Sequence, residues 1–275
     1  MAKPRAEDSI NSPGGQDRTT NRLASFGFRL GRSAAHQSRT MMLDELQTLL
    51  HAAPDNATKA DYMALMVDAN ILGKGTSKAR QLTAKHLVEL YGLDDKLCLF
   101  RVFRHLWQQD AQARPVLALT LALARDPLLR LSRPLMLAKQ PGEAVDRREV
   151  EEMLDQSDPG RFSAASLKSF AQNINGSWTQ AGFLQGRVRK VRILPRVTPT
   201  NLAYALFVGH LEGLRAQRLF ASEWANLISG SRDELVALAQ SASRRGLLVF
   251  MNAGGVMEVR FPGYLTPEEE GWLHE

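Results

Sequence analysis

From about Ser38 onward, apolar side chains return every three or four residues, in segments that end at glycine, proline or aspartate. That period is helical, because side chains at i, i+3, i+4 and i+7 share one face of a helix. A chain patterned this way folds as packed helices, each burying one stripe. Met42, Leu46, Leu49 and Leu50 form the first stripe, closed by the turn Ala53-Pro54-Asp55. Tyr62, Leu65, Met66 and Ala69 form the second, on a helix from about Thr58. A third helix is expected to start at an N-cap on Ser77 and stop at Gly92, with Ala79, Leu82, His86 or Leu87, and Leu90 inward. Residues 96–140 predict three more, Lys96 to Gln109, Arg114 to Arg125 and Asp126 to Lys139, with Leu97, Phe100, Phe103 and Trp107 as a core stripe.

Other features narrow the function. Cys98 is the single cysteine of 275 residues, so neither an internal disulfide framework nor a multi-cysteine zinc site is available. No two of the six histidines stand at the spacing of a zinc-protease helix. Gly73-Lys74-Gly75-Thr76 lacks the earlier glycine and the Gly-Lys-Ser/Thr order of a phosphate loop. The expectation is a protein without catalytic residues, metal or cofactor. Residues 1–22 have no apolar core of a secretory signal, and the longest uncharged runs, Pro115 to Ala124 and Asn201 to Leu211, are half of the roughly twenty residues a spanning helix needs. A cytoplasmic location is expected.

Charge is the informative quantity once it is placed along the chain. The net +6 divides into +4 over residues 1–40, −2 over 41–160, +7 over 161–211 and −3 over 212–275. The third segment holds seven basic residues and no Asp or Glu. A carboxylate beside a phosphate backbone is repelled, so a nucleic-acid face excludes acids. Residues 1–20 are polar and predict a disordered tail, its unit drawn over 1–38, within which Phe26 and Phe28, alternating with small residues over Ser25 to Leu30, allow a short ordered attachment.

Within the basic segment, Ser163 or Ser166 caps a long helix to about Ala181, with Leu167, Phe170 or Ala171, Ile174 and Trp178 on the apolar face. Lys168, Gln172 and Asn175 define the other face. Arg187 to Arg196 follows as a strand of β-branched residues alternating with cations, Lys190 and Arg192 sharing one side and Val191 and Ile193 the other. A polar-faced helix followed by a basic strand is the outline of a winged helix. The helix suits a major groove, where Gln and Asn pair with adenine edges and Lys with guanine, and Arg187, Arg189, Lys190, Arg192 and Arg196 suit phosphates. Five to seven such contacts correspond to a slope of log K against log salt of roughly −5 to −6.

Two other segments have related outlines. The helices before and after Leu72-Gly73-Lys74-Gly75-Thr76-Ser77 form a helix-turn-helix, with Lys74, Lys78, Arg80 and Lys85 at the front of the second helix. A helical hairpin with a solvated basic face is the alternative. Near the C-terminus, a helix from Thr198 to Arg215, a short one from Ser222 to Ile228, one capped by Ser231, and a hairpin of Leu247 to Met251 with Val256 to Phe261 make a second winged-helix outline. Its acidic balance favours packing or protein contact, with Arg232, Arg244 and Arg245 as minor DNA candidates. The segment from Thr266 predicts a loose helix packing Trp272.

The run Val67-Asp68-Ala69-Asn70-Ile71-Leu72-Gly73-Lys74-Gly75-Thr76-Ser77-Lys78-Ala79-Arg80 resembles the N-terminal motif of BrxA-like proteins, small subunits of bacteriophage-exclusion (BREX) defence systems. Ser166-Leu167-Lys168, Ala171-Gln172-Asn173, Ala181-Gly182-Phe183-Leu184 and Val197-Thr198-Pro199 resemble a second part of it. The resemblance implies a helical, non-catalytic protein associated with DNA. The expected architecture is mainly α, with helix-turn-helix and winged-helix modules and short β-hairpin wings. Its expected units are a tail over 1–38, a helical domain over 39–140, a basic module over 141–197 and a C-terminal module over 198–275. The expected partners are double-stranded DNA and other defence subunits, with no membrane and no small-molecule substrate. The alternative is a scaffold whose basic block meets an acidic protein.

Overall fold

The helical period is realised along most of the chain, with two small antiparallel sheets set among the helices. The computed structural model describes residues 13–273, apart from Ser33, Ser229 and Gly255. Helix α1 (Pro13–Phe26) corrects the expectation of a disordered tail over residues 13–38; residues 1–12, with Lys3 and Arg5, lie outside the described residues. The reason is at the end of that helix. Phe26 is fully buried, Phe28 nearly so, and the ring of Phe26 lies 5.5 Å from that of Trp272. Two aromatic side chains supply burial that the polar residues before them lack.

Next come α2 (Leu43–Ala52), α3 (Lys59–Val67) and α4 (Ser77–Tyr91). Thr58 and Asp61 close a reciprocal capping box on α3. The N-cap of α4 is Thr76, not Ser77: Thr76 is extended at φ −131°, ψ 153°, and its hydroxyl accepts the Ala79 N–H at 3.1 Å. A β-branched residue favours that extended geometry, which leaves Ser77 as the first helical position. Leu82, expected inward, is exposed, because α3 and α6 pack on the face bearing Thr83, Ala84, Leu87 and Leu90.

Helices α5 (Cys98–Gln109) and α6 (Arg114–Arg125) occupy the centre, and Val116 to Arg125 of α6 is buried on every side. Phe103 of α5 meets Tyr91, Trp107 and Tyr204 at ring separations of 6.2, 5.2 and 6.1 Å. The helix expected over Asp126 to Lys139 is two short ones, α7 (Pro127–Leu131) and α8 (Arg133–Ala138). Asp126 caps α7 from outside, and Pro134 has no N–H with which to continue the ladder across Ser132.

The module expected over 141–197 contributes β1 (Ala144–Val145), α9 (Arg147–Ser157), α10 (Ala164–Gln180), β2 (Leu184–Gln185) and β3 (Lys190–Arg192). Helix α11 (Pro199–Leu211) then crosses the core against α5 and α6, buried from Thr200 to Gly209. The short helix expected over Ser222 to Ile228 is instead α12 (Gln217–Phe220) and a separate 3-10 turn over Ala225–Ile228, because the Ser222 hydroxyl bonds back to Leu219 O and accepts the Ala225 N–H. Helix α13 (Arg232–Arg244), strands β4 (Val249–Ala253) and β5 (Val256–Arg260), and α14 (Pro267–Trp272) complete the order. On β5, Met257 and Val259 are inward while Val256, Glu258 and Arg260 are outward, the alternation of a half-buried strand. One hydrophobic cluster runs from Phe26 to Tyr264, so the boundaries drawn at 140/141 and 197/198 fall between elements without dividing the core.

Candidate nucleic-acid interface

The sequence brings the basic block together through local devices. Asp146 and Glu149 form a capping box on α9, and the Ser163 hydroxyl accepts the Ser166 N–H at 3.2 Å to start α10. After α10, Gly182 at φ 80° turns the chain into β2, and β2 and β3 form a hairpin. The antiparallel sheet has the order β1-β3-β2, with Ala144 opposite Val191 and Leu184 opposite Arg192. The central strand is therefore the basic one.

Helix α10 is two-sided. Phe170, Ala171, Ile174 and Trp178 are buried, and the Trp178 indole donates to Ser132 Oγ at 2.8 Å. Lys168 and Gln172 are exposed, with Ser169 between them, so the N-terminal half of the helix presents a polar face. Asn175 departs from the expectation. It is 4 % exposed, turned into the core, and its Oδ1 has no partner among the described residues. Helix α10 packs on two other elements, α9 and the 3-10 turn Ala35–Gln37, and the turn takes a hydrogen bond from Asn173 to His36 O at 3.0 Å. Packing on both elements buries more of α10 than one apolar stripe, and Asn175 falls within that buried surface.

The strand expected over Arg187 to Arg196 is shorter, Lys190–Arg192, because residues 186–189 form the hairpin turn. Gly186 has φ +97°, and a Cβ there would overlap the Arg189 carbonyl. Arg187 and Arg189 are exposed at the tip, and Arg196 is exposed beyond the sheet. Lys190 is half-buried, its Nζ donates to Gly186 O at 2.7 Å, and burial lowers its pKa. Arg192 is corrected outright: only 4 % exposed, it donates from Nε to Met136 O at 3.2 Å and stacks its guanidinium 5.0 Å from the Phe183 ring. Burial lowers its pKa too. The central strand has both sides covered near its end, so the side chain that alternation points outward is an internal anchor for three carbonyls, those of Met136, Phe183 and Ile193.

The front of α4 is also less available than its charge suggests. Lys74 is paired with Glu45 at 3.0 Å, and Arg80 donates to Val67 O at 2.8 Å, at the open C-terminal end of α3. Lys78 and Lys85 are exposed. Arg232, Arg244 and Arg245 are exposed at the two ends of α13.

Two features have no single-residue signal in the sequence. Val188, between Arg187 and Arg189 at the hairpin tip, is 96 % exposed. Deep in the core, Asp126 Oδ2, His36 and Ser177 Oγ stand in a row: His36 Nδ1 is 3.0 Å from the carboxylate and its Nε2 is 2.7 Å from the hydroxyl. The order is that of a carboxylate–imidazole–hydroxyl triad, but all three side chains are buried. The hydroxyl is committed, accepting the Met41 N–H at 2.8 Å and donating to Asn173 O at 3.0 Å. The row pins the segment before α2 to α7 and α10.

Comparison with models of known protein families and with curated proteins finds no match. Among the described residues, no helix is long and apolar enough to cross a membrane, and no group of three or more His, Cys, Asp or Glu is placed to hold a metal ion.

Proposed function

We propose that the chain is a non-enzymatic, cytoplasmic accessory protein that grips duplex DNA with α10 and the β2–β3 hairpin, arranged as a winged helix, within a phage-defence system of the BREX kind. The observation that carries this reading is the combination of the sheet order β1-β3-β2 around α9 and α10 with exposed Lys168 and Gln172 on α10 and exposed Arg187 and Arg189 at the hairpin tip. In a winged helix the second helix of the pair lies in the major groove, and the hairpin reaches the neighbouring backbone. The acids of α9 and of the residue that follows it are partly engaged already: Glu149 with Lys139, Glu151 with Arg147, and Asp158 with Arg161. The resemblance of residues 67–80 and 166–199 to BrxA-like proteins supports the defence assignment.

The free cations are now fewer than composition suggests. Lys168, Arg187, Arg189 and Arg196 are exposed and Lys190 half so, which gives a slope of log K against log salt of about −4 for duplex binding. A salt series measured by fluorescence anisotropy with a duplex oligonucleotide tests it. No binding at about 50 mM salt, where a contact set of this size is strongest, overturns the reading and leaves the protein–protein scaffold in its place.

A further inference from the structure

Arg22 of α1 has a buried Nε, and no atom of its guanidinium has a hydrogen-bond partner among the described residues. Other arginines with a buried Nε are anchored through their terminal nitrogens: Arg80 on Val67 O, Arg104 on Leu50 O and Ala53 O, and Arg125 on Gly27 O and Val88 O. Arg22 instead faces a second cation. Its Nη2 lies 3.9 Å from the place a Cβ would take on Gly213, in the turn after α11. Two residues on, Arg215 has its pKa lowered by burial and then by the Arg22 charge. The Arg215 guanidinium is held by the His210 and Leu214 carbonyls, so Arg22 is the one left without a partner, and an unpartnered guanidinium partly withdrawn from water is short of an anion.

The space for one is present. A cleft of about 620 Å³ opens between α1 and α14, lined by Arg18, Thr19, Asn21, Arg22, Ser25 and Trp272. No carboxylate lines it among the described residues. Arg18 and Arg22 are four residues apart on one helix and so share its face. Trp272 is half-buried, packed on Phe26, whereas Trp107, Trp178 and Trp224 are buried. The volume lies within the roughly 300–1,000 Å³ of ordinary small-ligand pockets, far more than a bare phosphate fills.

We propose that this cleft is a nucleotide site, in which Arg18 and Arg22 hold a phosphate and Trp272 offers its ring to a planar base. A guanidinium fork matches phosphate oxygens two at a time, and an indole stacks on any base. The inference does not rest on duplex binding by α10. A free mononucleotide and the unpaired end of a nucleic-acid strand share this chemistry.

The test is a tryptophan-fluorescence titration of the full chain with AMP, adenosine, inorganic phosphate and a 5′-phosphorylated single-stranded oligonucleotide. The expected result is saturable quenching by AMP or by the oligonucleotide, competition by phosphate, and binding of adenosine weaker by about tenfold or more, the loss of a charge-assisted contact. Quenching by AMP identifies a free nucleotide, and quenching by the oligonucleotide alone identifies a strand end. Trp272→Phe removes the quenching, which assigns it to this cleft. Arg22→Ala weakens binding by about tenfold, Arg22→Lys restores part of it, and thermal unfolding of Arg22→Ala stays at or above wild type because one member of a like-charged pair is gone. Absence of saturable quenching by both phosphorylated ligands overturns the proposal. So does equal affinity in Arg22→Ala, or adenosine or bare phosphate binding as tightly as AMP. Duplex binding by the wild type is unaffected by these outcomes, so the two readings fail separately.

Discussion

His36 Nδ1 lies 3.0 Å from Asp126 Oδ2, both side chains are sealed from water, and the pair joins positions 90 residues apart. The same carboxylate accepts the His36 backbone N–H at 3.2 Å, and its other oxygen caps α7 through the Leu129 N–H at 2.9 Å. Burial by itself pushes the Asp126 carboxyl up, but the interaction with His36 and these hydrogen bonds outweigh it and hold the pKa below the ordinary carboxylate value. A carboxyl depressed in the folded state adds stability that is present above its unfolded pKa and is lost as pH falls through the folded one. Acid unfolding of the wild type should therefore include a contribution from this group below about pH 4. Asp126→Asn removes it and costs roughly 3–5 kcal/mol near neutral pH, the range for one partner lost from a buried pair. Chemical denaturation from pH 3 to pH 7 measures both. A variant as stable as wild type at neutral pH would show that the pair holds nothing.

Adjacent cations of the hairpin should separate into two kinds of variant. Arg187→Glu with Arg189→Glu changes exposed side chains at the tip, so thermal unfolding should stay near wild type while duplex binding is lost or its salt slope falls by about 2. Arg192→Ala removes the internal anchor on Met136, Phe183 and Ile193 carbonyls. It should cost about 2–3 kcal/mol of stability, as loss of hydrogen bonds from a buried charged group does. Paired measurement of melting temperature and DNA affinity decides the assignment. A tip variant that unfolds, or an Arg192 variant that loses only affinity, reverses it.

That division was not legible in the alternation of the strand, and the reason is physical. Alternation places Lys190 and Arg192 on one side of β3, but what covers that side comes from elsewhere in the chain. Arg192 is held by Met136 O of α8, fifty-six residues upstream, and two-residue β1, which pairs along the edge of β3, leaves no periodic signal either. Asn175, expected outward, is buried because α10 packs on both α9 and the turn Ala35–Gln37, an arrangement that no local period records. The stripe of α10 came through. Phe170, Ala171, Ile174 and Trp178 face inward as the period predicts, and Lys168 and Gln172 face outward. The Ser163 cap and the Gly92 stop are likewise local, since each is set by the backbone of one turn.

Gly186 is the position where backbone geometry and the candidate interface meet. Its φ of +97° is strained for any residue with a Cβ, and that Cβ would overlap the Arg189 carbonyl. Gly186→Ala should force the turn open, releasing the Lys190 bond to Gly186 O and shifting Arg187 and Arg189 away from α10. The expected cost to stability is about 1 kcal/mol or somewhat more, because the hairpin tip carries little of the core. The expected cost to duplex affinity is larger than that. Wild-type affinity in this variant would mean that the tip does not touch DNA.

Gln172 and Asn175 stand three residues apart on α10, and their substitution should read out opposite properties. Gln172 is exposed next to Lys168, and a Gln amide can pair with both polar atoms of an adenine edge. Gln172→Ala should leave the melting temperature unchanged and, on a preferred sequence, reduce discrimination against other sequences by about 1–3 kcal/mol while non-specific affinity persists. Asn175 is in the core with Oδ1 unpartnered among the described residues. Asn175→Ala removes a buried polar group that is only partly satisfied, so its effect on stability should be small, within about 1 kcal/mol, and its effect on DNA nil. The two variants are compared on the same duplex, selected from a randomised pool by the wild type. Loss of discrimination with Asn175→Ala and none with Gln172→Ala would place a different face of α10 in the groove.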